Sequence, residues 1–267
     1  MLSAPLIRRR QKILPPSHPN IGIEVAYRKR LYALLDEMAN SLLYWLQAQY
    51  RKNKPRMAQD ALPATDLRHQ MRQLSHRWES RFDDAAPKLA QYFLTKAKDR
   101  TEGALQKILD DAGFTVNFRL TAPVRDVYQA LIGENVGLIR SIASQHLSAV
   151  EGLVMRSVSE GRDLHTLAKA LEDQYGVTKR RAASMARDQN NKATAIIQRT
   201  RQQELGIRQA VWMHSGAGKH PRPTHVANNG EKYDVAEGWF DPAIQKRIWP
   251  GTEINCRCTN RAVIPGL

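Results

Sequence analysis

Cysteine is nearly absent from this 267-residue chain, with two residues, aromatic side chains make up 7%, and acidic residues are scarce, 26 against 41 lysines and arginines. Two cysteines exclude a disulfide-stapled scaffold. They are Cys256 and Cys258, and a single intervening residue on an extended strand points both thiols to one face without letting them bond each other easily. A reduced, cytoplasmic site of synthesis is therefore expected. No apolar run approaches the roughly 20 residues that span a bilayer. The segment MLSAPLIRRRQK has no hydrophobic core followed by a small-residue cleavage site, so no standard export signal is expected. No aromatic residue interleaves with the charges of the most basic stretch, residues 179–201, which argues against a base-stacking single-strand binder. Internal repeats and low-complexity segments are missing as well.

What is present is a 42% hydrophobic content, enough to fill the core of one large domain or two ordinary ones. The formal net charge of +15 points to an anionic partner: nucleic acid, an acidic protein or a membrane surface. Charge alone does not choose among them.

Residues 1–23 combine Arg8, Arg9, Arg10 and Lys12 with three prolines, the composition of an extended arm ordered only where a partner holds it. Residues 24–120 read as helical. Tyr27, Leu31, Leu34, Met38, Leu42, Trp45 and Gln49 form one stripe, which ends before Lys54-Pro55. Leu67, Met71, Leu74, Trp78 and Phe82 form a second after a break at Pro63. A third helix is expected to open near Pro87 and to run through Leu89, Phe93, Leu105 and Leu109 to Gly113. Phe114, Val116, Phe118 and Leu120 alternate with polar residues, which predicts a short strand. Residues 121–206 form a central helical region. Its stripe includes Val127, Leu131, Leu138, Ile142, His146, Leu147, Val150 and Val154, with a stop at Gly161. A cap at Asp163, a stop at Gly176 and a new cap at Thr178 predict a helix-turn-helix-like unit, either a DNA reader or plain packing of two helices.

The helix that follows carries Lys179, Arg180, Arg181, Arg187, Lys192, Arg199 and Arg201. With Arg8, Arg9 and Arg10 these are candidate contacts for DNA phosphates, a solvated face being the alternative. Its thin apolar face is Ala182, Met185, Ala186, Ala193, Ile196 and Ile197.

Residues 207–267 predict a small α+β module: two alternating strands, Ile207 to His214 and Cys258 to Ile264, bracket a loop. In that loop His225, with Cys256 and Cys258, offers imidazole and thiolate ligands suited to zinc, although Cys-x-Cys is tighter than ordinary zinc spacing; buried free thiols are the alternative. His225 could also act as the general base of a metal-dependent nuclease or related hydrolase, with Asn228 or Asn255 orienting a phosphate and the cysteines holding zinc. The nearby carboxylates Glu231, Asp234 and Asp241 have no spacing that fixes a magnesium site. A third reading has Arg222 and His225 tying the loop together and Asn229-Gly230 making a tight turn. The fold class expected is thus mainly α, with helical N-terminal and central regions and a small α+β C-terminal module built on a short antiparallel sheet.

The order Trp212, Arg222-Pro-Thr-His225, Asn229-Gly230, Pro250 and Asn255-Cys256-Arg257-Cys258 resembles the phage Mu protein F-like minor head proteins, the SPP1-type head morphogenesis family. Asn135 to Ile142, Tyr175 to Ala182 and Ala186 to Gln189 are similar too. The resemblance covers about residues 125–264. The chain departs from the family's usual acid before Arg-x-x-His, having Ala217-Gly218-Lys219-His220. What the resemblance implies is a non-enzymatic minor protein of the virion, made in the host cytoplasm and housed inside the capsid near the portal vertex. It would take part in head assembly and genome packaging or ejection. Its implied partners are the portal protein, the major capsid or scaffolding protein and double-stranded DNA bound without sequence preference, with no membrane contact in the head. No cofactor is implied, a structural zinc being the one exception left open by the residues.

Overall fold

Helical periodicity carries most of the chain. A computed structural model describes residues 11–52, 63–160, 164–216, 218 and 220–264. Its elements run β1 (Lys12–Ile13), α1 (Ile21–Lys52), α2 (Pro63–Asp111), α3 (Ala122–Ser159), α4 (Leu164–Glu204), β2 (Gln209–Met213), α5 (Pro223–Ala227), β3 (Lys232–Asp234), β4 (Trp239–Asp241), β5 (Lys246–Ile248) and β6 (Thr259–Ile264). The mainly α class with a small C-terminal antiparallel sheet is what the chain adopts. Two units emerge, one of residues 24–93 and 132–186, the other of residues up to 23, 94–131 and from 187 onward.

In the first unit, Tyr27, Leu31, Met38 and Leu42 of α1 are buried as their spacing requires. The stripe then continues at Leu46, fully buried, and not at Trp45, which is 38% exposed. Four residues past Leu42 keeps the inward azimuth better than three. The expected break before Pro87 does not occur: α2 runs straight through Pro87. Ala86, Ala90 and Phe93 are fully buried and carry the stripe of Leu67 to Phe82 onward in register, so tertiary burial outweighs the missing proline donor. Tyr27 stacks on Phe93 with ring centres 4.3 Å apart and donates to Asn135 Oδ1 at 3.2 Å. On α3 the core position is Ile139, buried, whereas Leu138 is half-buried.

The predicted helix-turn-helix unit is not formed. Residues 164–204 are one helix passing through Gly176 and Thr178. Thr178 is an interior residue whose hydroxyl donates to the Gln174 carbonyl one turn back, at 3.0 Å. A local stop signal has been overridden by a buried face that continues through Leu171, Thr178, Ala182 and Ala186. Gly161 and Asp163 lie outside the described residues.

In the second unit, α2 and α4 end alike. Gly113 (φ 94°) donates to the Asp110 carbonyl and Phe114 to that of Leu109, while Gly206 (φ 71°) donates to Gln203 and Ile207 to Gln202. Each pair of bonds satisfies carbonyls that a helix end leaves open, and each needs a left-handed residue that glycine supplies without strain. Beyond Gly113 the side chains alternate as predicted, with Phe114, Val116 and Phe118 packed on Leu105, Leu109 and Ile207. Residues 114–120 nevertheless form no strand, because no strand edge pairs with them among the described residues. Alternation reports a half-buried extended chain, and a ladder needs a neighbour as well.

The four-stranded sheet has the order β1-β6-β2-β3, and β4 and β5 form a separate hairpin. β2 and β6 pair antiparallel, with Trp212 opposite Asn260 and Ala210 opposite Ala262. Residues 11–20, expected in an arm ordered only by a partner, are instead held by the chain itself: Lys12 and Ile13 pair with β6 and Leu14 is buried.

Candidate functional site

The β2–β6 pairing decides what meets at the C-terminal end. β2 carries Trp212 inward, fully buried, into a cluster with Ala210, Tyr233, Val235, Ile248, Cys256 and Cys258. The chain then leaves the sheet and returns through α5, begun by Pro223 and preceded by Arg222 in extended backbone. Proline at the first helical position costs no hydrogen bond, and the short helix turns His225 inward, 2% exposed. Trp212 and Trp239 stand edge-on to its ring at 5.1 and 6.3 Å.

The two faces of the imidazole meet different chemistry. Nδ1 lies 3.5 Å from Cys256 Sγ and 3.8 Å from Cys258 Sγ. Nε2 lies 3.5 Å from Asp241 Oδ2, and the Asp241 carboxylate is fully buried. That carboxylate is itself held, accepting from the Thr224 hydroxyl at 3.3 Å and from the Ala243 N–H at 3.0 Å. Both cysteines are free and buried, and with His225 they place three ligand atoms within 4.8 Å of one another. The Cys258 thiol, donating to Cys256, holds the latter below the usual thiol range against the upward push of burial; His225 and the Gly251 N–H pull in the same direction as Cys258. Cys258 is pushed above the usual thiol range by that same donation and by burial.

The sulfur pair is fixed from behind by the backbone. Gly251 (φ 83°) donates to Cys256 Sγ at 3.4 Å, and a side chain at Gly251 would stand 3.0 Å from Ala195 Cβ and 3.1 Å from the Cys258 carbonyl. Pro250 beside it is buried. Asn255 adopts a left-handed φ of 59° and its N–H donates to Asp188 Oδ1 at 2.5 Å, while Asn191 donates to the Cys256 carbonyl at 3.4 Å. Arg222 closes the loop by donating to the Ile254 carbonyl at 2.9 Å. Asn229 Oδ1 accepts the His214 N–H at 2.9 Å, and Gly230 (φ 91°) returns a backbone bond to Trp212. Arg257 is exposed. A cavity of about 300 Å³ opens on this arrangement, lined by His214, His220, Arg222, His225, Cys256, Arg257 and Cys258.

The sequence brought Trp212, Arg222, His225, Asn229, Gly230, Pro250, Asn255 and the two cysteines to this place. It named Asp241 only as one of three carboxylates without fixed geometry, yet Asp241 faces His225; Glu231 and Asp234 are exposed and outside the ligand cluster. It missed the buried polar seam where Gln198 and Gln202 of α4 both donate to Asn260 Oδ1, at 3.1 and 2.9 Å, while Asn260 donates to the Tyr233 hydroxyl. The available signal was a pair of glutamines four apart opposite an asparagine on a predicted core strand.

The basic stretch of α4 is different from its expected form. Of its seven cations expected to face DNA, Arg180 alone is exposed. Arg201 is 2% exposed and bound to Glu102 at 2.5 Å and Glu204 at 2.6 Å, which removes it from the phosphate contacts. Arg199 lies over Trp249, 4.1 Å from the ring centre, and Lys179 is paired with Asp36 at 3.4 Å. Arg181 donates to Ser141 Oγ, and Arg187 and Lys192 are half-buried. Arg8, Arg9 and Arg10 lie outside the described residues.

Comparison with known proteins points at the same half of the chain. Residues 148–261 match the family described as Phage Mu protein F like protein. A protein of Haemophilus influenzae, itself uncharacterized, is 32% identical over 141 residues, which are 53% of this chain. The match spans 30% of that relative's length. No solved structure matches the chain to significance.

Proposed function

We propose that the chain, whose residues 148–261 match the Phage Mu protein F like family, is a minor head protein of a tailed phage, structural in role and not an enzyme. It acts in head assembly and in genome packaging or ejection near the portal. Its partners are the portal protein, the major capsid or scaffolding protein and double-stranded DNA. The observation that carries this reading is that the matched span contains the whole buried constellation, from Trp212 through His225 to Cys258, so the family's signature coincides with a folding core. The net charge of +15 supports contact with packaged DNA through release of phosphate counterions.

The nuclease reading centred on His225 is supported less well. A general base must reach the proton it removes, and His225 is 2% exposed, with Trp212, Trp239 and Asp241 against its ring. The clustered ligand atoms are nitrogen and sulfur, whereas magnesium requires oxygen. The test is fractionation of particles from cells producing the phage, together with plasmid incubation in divalent metals. The protein is expected in purified heads at a few copies per particle, with no cleavage. Recovery only outside heads, or cleavage that His225→Ala abolishes, overturns the proposal.

A further inference from the structure

The geometry points to a zinc site formed by His225 Nδ1, Cys256 Sγ and Cys258 Sγ, with Asp241 as the residue that orients the histidine. This goes beyond the proposed function and rests on the arrangement of these four side chains alone.

Distances come first. Zinc bound tetrahedrally, with bonds of about 2.3 Å to sulfur and 2.0–2.1 Å to nitrogen, sets each sulfur roughly 3.6 Å from the nitrogen. The two sulfur to Nδ1 distances here are 3.5 and 3.8 Å. Hydrogen bonds link these groups only pairwise, since Nδ1 either accepts from one sulfur or donates to one. A metal in the middle uses all three groups at once. Two thiolates with an imidazole are also the ligand softness that zinc prefers over magnesium or calcium.

The surroundings are those of a metal ligand set. The imidazole of a metal-bound histidine ordinarily donates its other N–H to a carboxylate, which fixes the tautomer and turns the free lone pair to the metal. Asp241 stands on the Nε2 side, buried, and is positioned by Thr224 and Ala243. Bound thiolates need N–H donors to offset their charge, and the Gly251 N–H already points at Cys256 Sγ. Adjacent chain geometry accounts for the short Cys-x-Cys spacing. Asn255 in a left-handed conformation and the turn around Gly251 bend the backbone so that both sulfurs reach one point, a task a longer spacing performs in ordinary zinc loops. The fourth position opens into the cavity, on the side of His214 and His220.

The ion would join α5 to the turn between β5 and β6, which are also linked by the bond from Arg222 to the Ile254 carbonyl. Such a clamp suits a module with little sheet of its own.

The full chain, purified without chelators from cells given zinc, is expected to hold about one zinc per molecule by elemental analysis. Stripping the metal should lower the melting temperature and zinc should restore it. Cobalt added to the stripped chain should give a thiolate-to-metal charge-transfer band that Cys258→Ser removes. Asp241→Asn should keep the one-to-one stoichiometry but weaken zinc binding by roughly 10–100-fold, the usual effect of losing an orienting partner. That variant serves if the cysteine variant fails to fold. A folded chain that takes up no zinc from excess, or a native chain carrying a Cys256–Cys258 disulfide by mass spectrometry, overturns the inference. These measurements need no phage particle, so their failure is separate from failure to find the protein in heads.

Discussion

His146 on α3 is 3% exposed, with Nδ1 2.8 Å from the Thr178 hydroxyl. That hydroxyl already donates its only proton to the Gln174 carbonyl, so Nδ1 must be the donor and the ring is held in one neutral tautomer. Burial depresses its pKa from the ordinary 6.5 to about 4. The unfolded chain therefore takes up a proton below about pH 6.5 that the folded chain refuses until about pH 4. Stability contributed by the neutral ring is complete above pH 6.5 and declines as pH falls through that window, by about 3 kcal/mol. In urea melts His146→Gln should lose less stability than the parent between pH 7 and pH 4; equal losses would show that this ring is not responsible. At this scale the sequence revealed little. His146 lay on a legible stripe, but its partner is 32 positions away, and the Asp241–His225 contact joins residues whose spacing suggests nothing. Facing pairs depend on how elements dock, which periodicity does not encode.

The elements themselves were legible wherever a buried stripe persisted. Leu67 to Phe82, Ala182 to Ile197 and the two strands around the C-terminal loop lie where their periods put them. The differences fall at punctuation: Pro87 and Gly176 signal boundaries in the sequence and lie inside helices, as does Gly133. Glycine within a helix costs about 0.5–1 kcal/mol relative to alanine, a cost a long buried face easily exceeds. The same number gives a test of the continuous helices. A Cβ at Gly133 would meet nothing within 4 Å, and one at Gly176 would meet only the mobile end of Arg180, at 3.4 Å. Neither glycine has a positive φ. Gly133→Ala and Gly176→Ala should each raise stability by about 0.5–1 kcal/mol, measured by thermal melting. If Gly176 instead ended a helix in a left-handed turn, as the sequence suggested, alanine there would destabilise.

For the molecule as a whole, the charge has to act without the basic stripe expected on α4. Four of that helix's cations are tied to Asp36, Ser141, Trp249 or the Glu102–Glu204 pair. The free positive surface includes other residues, among them Lys29 on α1 and Arg68, Arg72, Arg77 and Lys88 on α2, interspersed with exposed acids such as Glu79 and Asp84. Mixed charge of this kind fits phosphate spacing at no fixed register, so attraction to DNA should be general and should depend on counterion release. Binding to unrelated duplexes is expected to be equal, and with six or more phosphates neutralised it should weaken by roughly a thousandfold between 50 and 200 mM salt. Because no single helix dominates, Arg180→Ala should flatten the logarithmic salt slope by no more than about one. Fluorescence anisotropy across a salt series measures both. A slope near zero, or a footprint at one preferred sequence, would remove DNA contact by net charge from the account of this protein.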